Sequence, residues 1–288
     1  VLASSIDRQV HALDAGRGVA ELDDVSLTLV SGADARAWLH DLVTTDVESL
    51  GRFETRPSLV LTPTGRIRAA FHVLCLGERD LLLAQGPGQP EPIGEVLAPY
   101  VLSSDVTVAP SRLRVFALPG TDHPPSWIPG AWRPSVLGGG IDLVAGGDDE
   151  GLADVRGRLA DQELERCDGA AVEARRVRRG EPAFPVDLGT DALPAEAGWD
   201  VAPVTDRTKG CFLGQEAVAK VANLGHPTHV VLGVAAAAPL RAGEPVLAAE
   251  RDVGRVTSAD GVLGLARIRW EAREDALVGA SSGPLNRR

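Results

Sequence analysis

Methionine is missing from all 288 residues, tyrosine occurs once and cysteine three times. Cys75, Cys167 and Cys211 are odd in number and far apart, which excludes a disulfide framework and fits a reducing compartment. No C-x-x-C occurs, so a structural zinc site or a self-contained iron–sulfur site is not expected. No apolar run approaches the ~18 residues of a membrane span, and the first residues lack the basic-then-apolar layout of a signal peptide. The expected setting is therefore the cytoplasm, away from a membrane. Positive charge is in deficit: 29 basic against 40 acidic residues give −11 and a pI near 5.0. That excludes a fold-wide cationic surface, and with it direct general nucleic-acid binding. There is no G-x-S-x-G, P-loop or Rossmann fingerprint, so hydrolase, NTPase and classical dehydrogenase readings have no support. Without methionine, long spacings carry little weight, and short contiguous motifs carry the reading.

What is present suffices for a packed core. Hydrophobic residues make up 44% of the chain, and its length suits two or three domains. Thirty-two glycines and 20 prolines imply many turns and substantial β structure. Residues 19–30 alternate as one or two strands. Ala35, Trp38, Leu39 and Leu42 then recur at helical steps. Two β-rich runs, 58–62 and 66–76, flank the turn Thr62-Pro63-Thr64-Gly65, and a third strand follows Asp80. A helix is predicted around 93–100, and strands at 105–109 and 112–118 are expected to complete one antiparallel sheet. Residues 119–140 read as an irregular connection. Helix returns at 150–162, and Asp168 is placed to cap another helix that Gly180 ends. Beyond residue 225, four short β runs suit a barrel or sandwich. The class is α+β, followed by a small all-β unit.

The most informative stretch is Thr208-Lys-Gly-Cys-Phe-Leu-Gly-Gln-Glu216. Gly210 and Gly214 bracket a cysteine, and a helical run starts directly afterward. A thiol ahead of a helix N-terminus, with Lys209 two residues away, is favoured as thiolate, while the glycines allow a bend that aims the sulfur outward. Glu216 opposes the first effect by its own charge. It also suits the dipole, or accepts hydrogen bonds from a ligand. On the residues alone, a reactive Cys211 and a small apolar filler in a turn stand about even. Cys75 reads as core, and Cys167 as structural at a helix cap. The run 175–179 (RRVRR) reads as a solvated face, with steering of an anionic ligand as the alternative. His226 has no partner at a metal-ligand spacing.

KGCFLGQE resembles the K-G-C-[Y/F]-x-G-Q-E signature of the YgfZ-type folate-binding proteins, relatives of the glycine cleavage aminomethyltransferase (T-protein). Glu181-Pro182 through Asp187, and Leu193-Pro194-Ala-Glu196-Ala-Gly198-Trp199, are similar to the stretch ahead of that signature. Asn223-Leu-Gly225-His226-Pro227, Ser31 through His40, and Val253-Gly-Arg-Val-Thr-Ser258 match further family motifs in the right order. There are departures. Phe212 replaces the commoner Tyr, and Lys220 stands where Arg is frequent, losing the planar fork. Arg178 occupies a position that is acidic in many members, which puts in doubt a pterin contact there.

The resemblance implies a three-lobed aminomethyltransferase-like ring, with two interleaved α+β lobes over 1–225 and a C-terminal antiparallel β-barrel over 226–288. It implies tetrahydrofolate, polyglutamylated or not, in a central channel. Asp187 and Glu196 are candidates to accept hydrogen bonds from the pterin, with Lys209, Gly210, Gly214, Gln215 and Glu216 around it. It implies an accessory role in iron–sulfur protein assembly, repair or maintenance, including enzymes that modify tRNA, with Cys211 as the acting thiol. The partners would be iron–sulfur proteins or cluster assembly factors. The alternative is a folate-dependent aminomethyltransferase or demethylase. That branch typically carries K-(D/E)-(F/Y)-x-G-(R/K)-E here, so Cys211 and Gln215 stand at the discriminating positions and favour the accessory role.

Overall fold

The structure is a computed structural model that describes residues 5–127, 130–146, 148–274 and 277–278. Helix α1 (Ser5–Asp14) leads into β1 (Gly18–Glu21), whose partners come from much later in the chain. The chain first lays down a separate sheet from β2 (Ser26–Ser31), β3 (Thr55–Leu61), β4 (Ile67–Cys75), β5 (Asp80–Gln85) and β6 (Thr107–Ser111). This antiparallel sheet has the order β3-β4-β5-β2-β6. Only then do β7 (Leu113–Leu118), β8 (Ile141–Gly146) and β9 (Glu165–Cys167) join β1, in the order β8-β7-β1-β9. The β1–β9 pair is parallel and the other pairs of that sheet are antiparallel.

The strands expected at 105–109 and 112–118 exist but do not share a sheet. β6 pairs with β2, whereas β7 crosses to lie between β1 and β8. Burial goes with the crossing: Val115 and Ala117 pack in one core cluster and Phe116 and Leu118 in another, so β7 has core on both faces, which its place between β1 and β8 provides. Strands β8 and β9 are not evident in the sequence. Asp142 holds β8 to the Pro- and Gly-rich stretch before it, accepting from Ser135 Oγ (2.6 Å) and the Val136 N–H (2.7 Å).

The helices match their sequence signals. α2 (Ala35–Leu42) and α3 (Ile93–Leu97) bury their apolar faces against β4 and β5, around Trp38, Leu39, Phe71, Val73 and Leu83. α4 (Asp149–Ala160) covers β8 with Leu152, Val155 and Leu159. Asp168 caps α5 (Gly169–Arg179) by accepting from the Ala171 N–H, and Gly180 ends it at φ 70°. After α6 (Gln215–Leu224), strands β10 (His229–Ala235), β11 (Pro245–Ala248), β12 (Arg251–Asp260), β13 (Leu263–Arg269) and β14 (Leu277–Val278) form an antiparallel sheet of order β10-β13-β12-β11-β14. Among the described residues no β10–β14 pair closes it into a full barrel.

The arginine run on α5 is only in part a solvated face. Arg175 is 3% exposed, pairs with Asp14 at 2.7 Å and donates to the Leu137 carbonyl. Arg178 bridges Asp7 of α1 and Asp260 of β12, and Arg179 pairs with Glu181. Arg175, Arg176 and Arg178 tie α5 to distant parts of the chain, whereas Arg178 and Arg179 are also exposed and Arg179 pairs only locally, so the run is partly a set of internal fasteners and partly a solvated face.

Asp142 is fully buried with no cation beside it, and burial pushes its carboxyl up to about 7. The folded state thus holds a proton that the unfolded chain, titrating near 3.8, has already lost. Stability is expected to fall as pH rises from about 4 to about 7 and then to level off. Asp142→Asn should flatten that part of the curve in urea unfolding followed across pH.

Candidate functional site

The signature segment is held by backbone hydrogen bonds before any of its own side chains act. The residues that follow α2 supply most of them. Thr44 Oγ1 donates to the Val204 carbonyl (2.7 Å) and accepts from the Leu59 N–H of β3 (3.0 Å), while Thr45 Oγ1 donates to the Pro203 carbonyl (3.0 Å). The Thr44 carbonyl accepts from Asp206 N–H at 2.9 Å. Asp206 then folds onto Thr208, accepting from its N–H (2.7 Å) and its hydroxyl (2.6 Å), which holds the carboxyl below its usual range. Two fully buried threonines thus fix a loop about 160 residues away, and none of this is visible in the octapeptide itself.

Lys209 and His40 bond reciprocally. His40 Nε2 lies 3.0 Å from the Lys209 carbonyl, and Lys209 Nζ donates to the His40 carbonyl. A carbonyl only accepts, so Nε2 carries the hydrogen. Nδ1 faces the Glu48 N–H at 3.4 Å and Asp46 at 3.2 Å. The Lys209 ammonium lies 5.5 Å from the centre of the Phe212 ring and 3.5 Å from the Cys211 carbonyl. Burial lowers its pKa, against the pull of Asp41, Asp46 and Asp206. The cation expected beside the thiol is therefore there, but it works chiefly as a clamp on backbone carbonyls.

The two glycines do different work. Gly210 turns at φ 111° with open space where a Cβ would stand, and its carbonyl accepts from Gln215 Nε2 at 3.0 Å, closing the loop on α6. Gly214 sits at φ 77°, and a Cβ there would lie 2.5 Å from the Thr62 carbonyl. The predicted 62–65 turn is what it meets, and Gly65 in turn abuts Ala217 of α6. Between these points the side chains separate. Phe212 is buried with Leu59, Leu61, Ile67 and Val218, whereas Cys211 is exposed. Glu216 is exposed in the first turn of α6. Cys75 and Cys167 are buried, and burial, with Glu165 and Asp168 nearby, pushes the Cys167 thiol up to about 11.

Asp187 and Glu196 lie elsewhere and are occupied. Asp187 is 1% exposed; Oδ2 accepts from Arg176 (2.6 Å) and the Ala183 N–H (2.8 Å), and Oδ1 from Thr257 (2.5 Å) and Ser258 (2.7 Å). Glu196 accepts from Arg267 Nε (2.7 Å) and the Leu193 N–H (3.2 Å). Both carboxylates join the 181–205 segment to the C-terminal sheet. As placed, Asp187 has no acceptor lone pair left for a pterin.

The same segment covers one face of the β3–β4 ribbon. Register puts Thr55, Pro57 and Leu59 on that face, opposite Leu74, His72 and Ala70. Ala70, Trp199 and Val204 pack against the cluster that holds Phe184 and Phe212. Pro57, Ala70 and His72 remain partly accessible on this face, which so keeps a recess between the cluster of Phe212 and the cluster of Leu74 and Ala84. A largely apolar wall with room beside it suits a flat ring. Among the described residues, no group of three or more His, Cys, Asp or Glu side chains is arranged to hold a metal ion.

Comparison with known proteins agrees with this architecture. Residues 228–285 match the CAF17 C-terminal β-barrel domain family. The structure superposes on the crystal structure of the glycine cleavage system aminomethyltransferase T from Bartonella henselae with a TM-score of 0.79, covering 97% of this chain and 86% of that one at 18% identity. The chain shares its fold with that aminomethyltransferase. A chloroplastic protein of Arabidopsis thaliana, provisionally named a transferase, is 25% identical over 284 residues, or 88% of this chain. The chain spans 64% of that relative's length. The chain thus combines the aminomethyltransferase fold with a match to the CAF17 C-terminal β-barrel domain over residues 228–285.

Two substitutions test the account of the site. Gly214→Ala should cost roughly 2–4 kcal/mol, from left-handed backbone strain plus the clash with residue 62, read as a lower urea midpoint at unchanged m. Asp187→Ala leaves the Ala183 N–H and the Thr257 and Ser258 hydroxyls without this acceptor, leaves Arg176 with Glu173 as its carboxylate partner, and should cost about 3–5 kcal/mol. Protease cleavage between 181 and 205 should rise with it, whereas loss of under about 1 kcal/mol would deny the pair its fastening role.

Proposed function

We propose that this chain is a tetrahydrofolate-binding accessory factor that serves iron–sulfur proteins in assembly, repair or maintenance, with Cys211 as its acting thiol. The observation that carries the reading is the split between neighbours in the signature loop: Phe212 is anchored in the core and Cys211 is open to a partner. The Lys209–His40 clamp and the Gly210 and Gly214 bends hold that display without help from the sulfur, so the thiol is free to react.

A single cysteine supports two kinds of step. As thiolate it donates its lone pair to an iron of a cluster carried by a partner, which supplies the remaining ligands. Alternatively it attacks a partner disulfide, forming a mixed disulfide and releasing the partner's other sulfur as thiolate. In either case the iron–sulfur cluster is cargo and not a resident group. Tetrahydrofolate would lie against the β3–β4 wall, with its glutamate tail directed to solvent, where a poly-γ-glutamate extends without steric cost. When bound, it supplies a reduced pterin able to carry one-carbon units or electrons.

The fold match favours a second reading, transfer of a one-carbon unit to tetrahydrofolate. That reaction needs a carboxylate free to position the folate nitrogen and the incoming amine. Asp187 and Glu196 are both engaged internally, and the wall presents Ala70 and His72 instead. The accessory role asks for no such carboxylate.

Cys211→Ala should leave thermal stability within about 0.5 kcal/mol, since the side chain is exposed. It should also leave tetrahydrofolate binding by calorimetry unchanged. In cells that depend on this protein, activity of iron–sulfur enzymes should drop to the level of the deletion. Full activity with the alanine variant would take the thiol out of the function. Formation of 5,10-methylene-tetrahydrofolate from an aminomethyl or methylamine donor would support the enzymatic reading instead.

A further inference from the structure

On the β3–β4 wall nearly every side chain is apolar: Pro57, Leu59, Ala70 and Leu74, with Ala84 alongside on β5. His72 stands in the middle of them, opposite Pro57 on one side and Ala84 on the other. Its ring makes no hydrogen bond or ion pair with the described residues, yet part of its surface stays accessible. So much protein surrounds it that burial alone pushes its pKa down to about 4. Its neighbours on this face belong to two core clusters, Leu59 and Ala70 to that of Phe212 and Leu74 and Ala84 to another, so the accessible part of the ring opens into the recess between them. It is neutral at physiological pH and offers one N–H donor and one nitrogen acceptor.

One register step away on the same face, opposite Leu74, Thr55 is 1% exposed and its Oγ1 is buried without a partner. Buried polar groups are normally satisfied, and an orphan carries a desolvation cost of about 1–3 kcal/mol. An unpaired, partly accessible imidazole next to such a hydroxyl on an apolar wall is an arrangement that core packing alone does not favour. The Thr55 hydroxyl has no surface that a ligand could touch, whereas a ligand edge carrying a donor and an acceptor would pair with the His72 ring.

We infer that His72 is a ring-positioning contact for the bound folate, hydrogen-bonding the amide-like edge of the pterin from the sheet wall. The inference rests on the folate reading above and names the residue that this chain uses in place of Asp187. It requires no bond to form or break: the neutral imidazole donates from one nitrogen and accepts at the other. Ala70 and Pro57, on either side, leave a flat surface against which the ring lies.

The test titrates the full chain with 5-formyl-tetrahydrofolate by calorimetry, comparing wild type, His72→Leu and His72→Gln. Loss of one or two hydrogen bonds should weaken binding by the leucine variant about tenfold or more, while glutamine, which keeps a donor and an acceptor, stays within about threefold. The unliganded leucine variant should melt no lower than wild type, because an apolar side chain suits that wall. Independently of any variant, the His72 ring ¹⁵N resonances should shift when the ligand is added to wild type. Equal affinity of wild type and His72→Leu, or unmoved ring resonances under saturating ligand, overturns the assignment and leaves the folate reading standing. No binding by wild type overturns both.

Discussion

A single buried carboxylate holds the architecture together. Asp187 gathers a guanidinium from α5, a backbone N–H from its own loop and two hydroxyls from β12, and so joins three parts of the chain that share no strand. A carboxylate with no exposure and four donors gains more from this than any exposed pair, because it has no water to return to. Glu196 and Arg267 repeat the device a short distance away, with Asp191 on the outer side of the same guanidinium. The C-terminal sheet is thus docked by charge-assisted hydrogen bonds as well as by Val231 and Leu265, which reach into the core shared with Phe212. Folding of the signature loop and docking of the last domain are consequently linked through one cluster.

The signature loop itself owes little to its reactive residue. Its path is set by Thr44 and Thr45 beneath it, by the reciprocal His40–Lys209 pair at one end, and by the contact of Gly214 with residue 62 at the other. Every one of these uses a main-chain group of the loop or its neighbour. Among the described residues of that stretch, the thiol, like the exposed Glu216 carboxylate, has no structural task, which is the condition under which a side chain can be kept for chemistry.

Much of this was legible in the sequence, and the reasons for the exceptions are physical. Local signals were reliable: Asp168 and Gly180 bound α5, the Thr62–Gly65 turn joins β3 to β4, and the β runs after residue 225 form one sheet. Cys211 was found because glycines, a cation and a helix start lie within nine contiguous residues. Partnerships over long separations were not legible. Nothing near 113 shows that β7 belongs with β1, since burial of both its faces is a property of the assembled sheet. The arginines of α5 look like a solvated stripe because their partners, Asp14, Asp7, Asp187 and Asp260, lie in remote segments. Asp187 and Glu196 stood out in the family-like stretch as acids, but whether an acid meets a ligand or an internal arginine depends on Arg176 and Arg267, which no short motif contains. His40, Thr44 and Thr45 went unnoticed for the same reason.

The placement of charge and polarity also limits the chemistry. A transfer reaction inside the recess would need its general base or carboxylate free at the wall, and this chain has used its well-placed acids as fasteners. What faces the recess is neutral: an imidazole kept uncharged by burial, in an apolar frame. Such a surface can hold and orient a flat, reduced heterocycle, but it is poorly equipped to move protons to or from it. Cys211 lies instead on the outside of the same cluster, one residue from Phe212, open to a partner. Under the proposed function, binding inside and thiol chemistry outside would be one residue step apart, so that occupancy of the recess would bear on the loop through Phe212 without the ligand touching the sulfur.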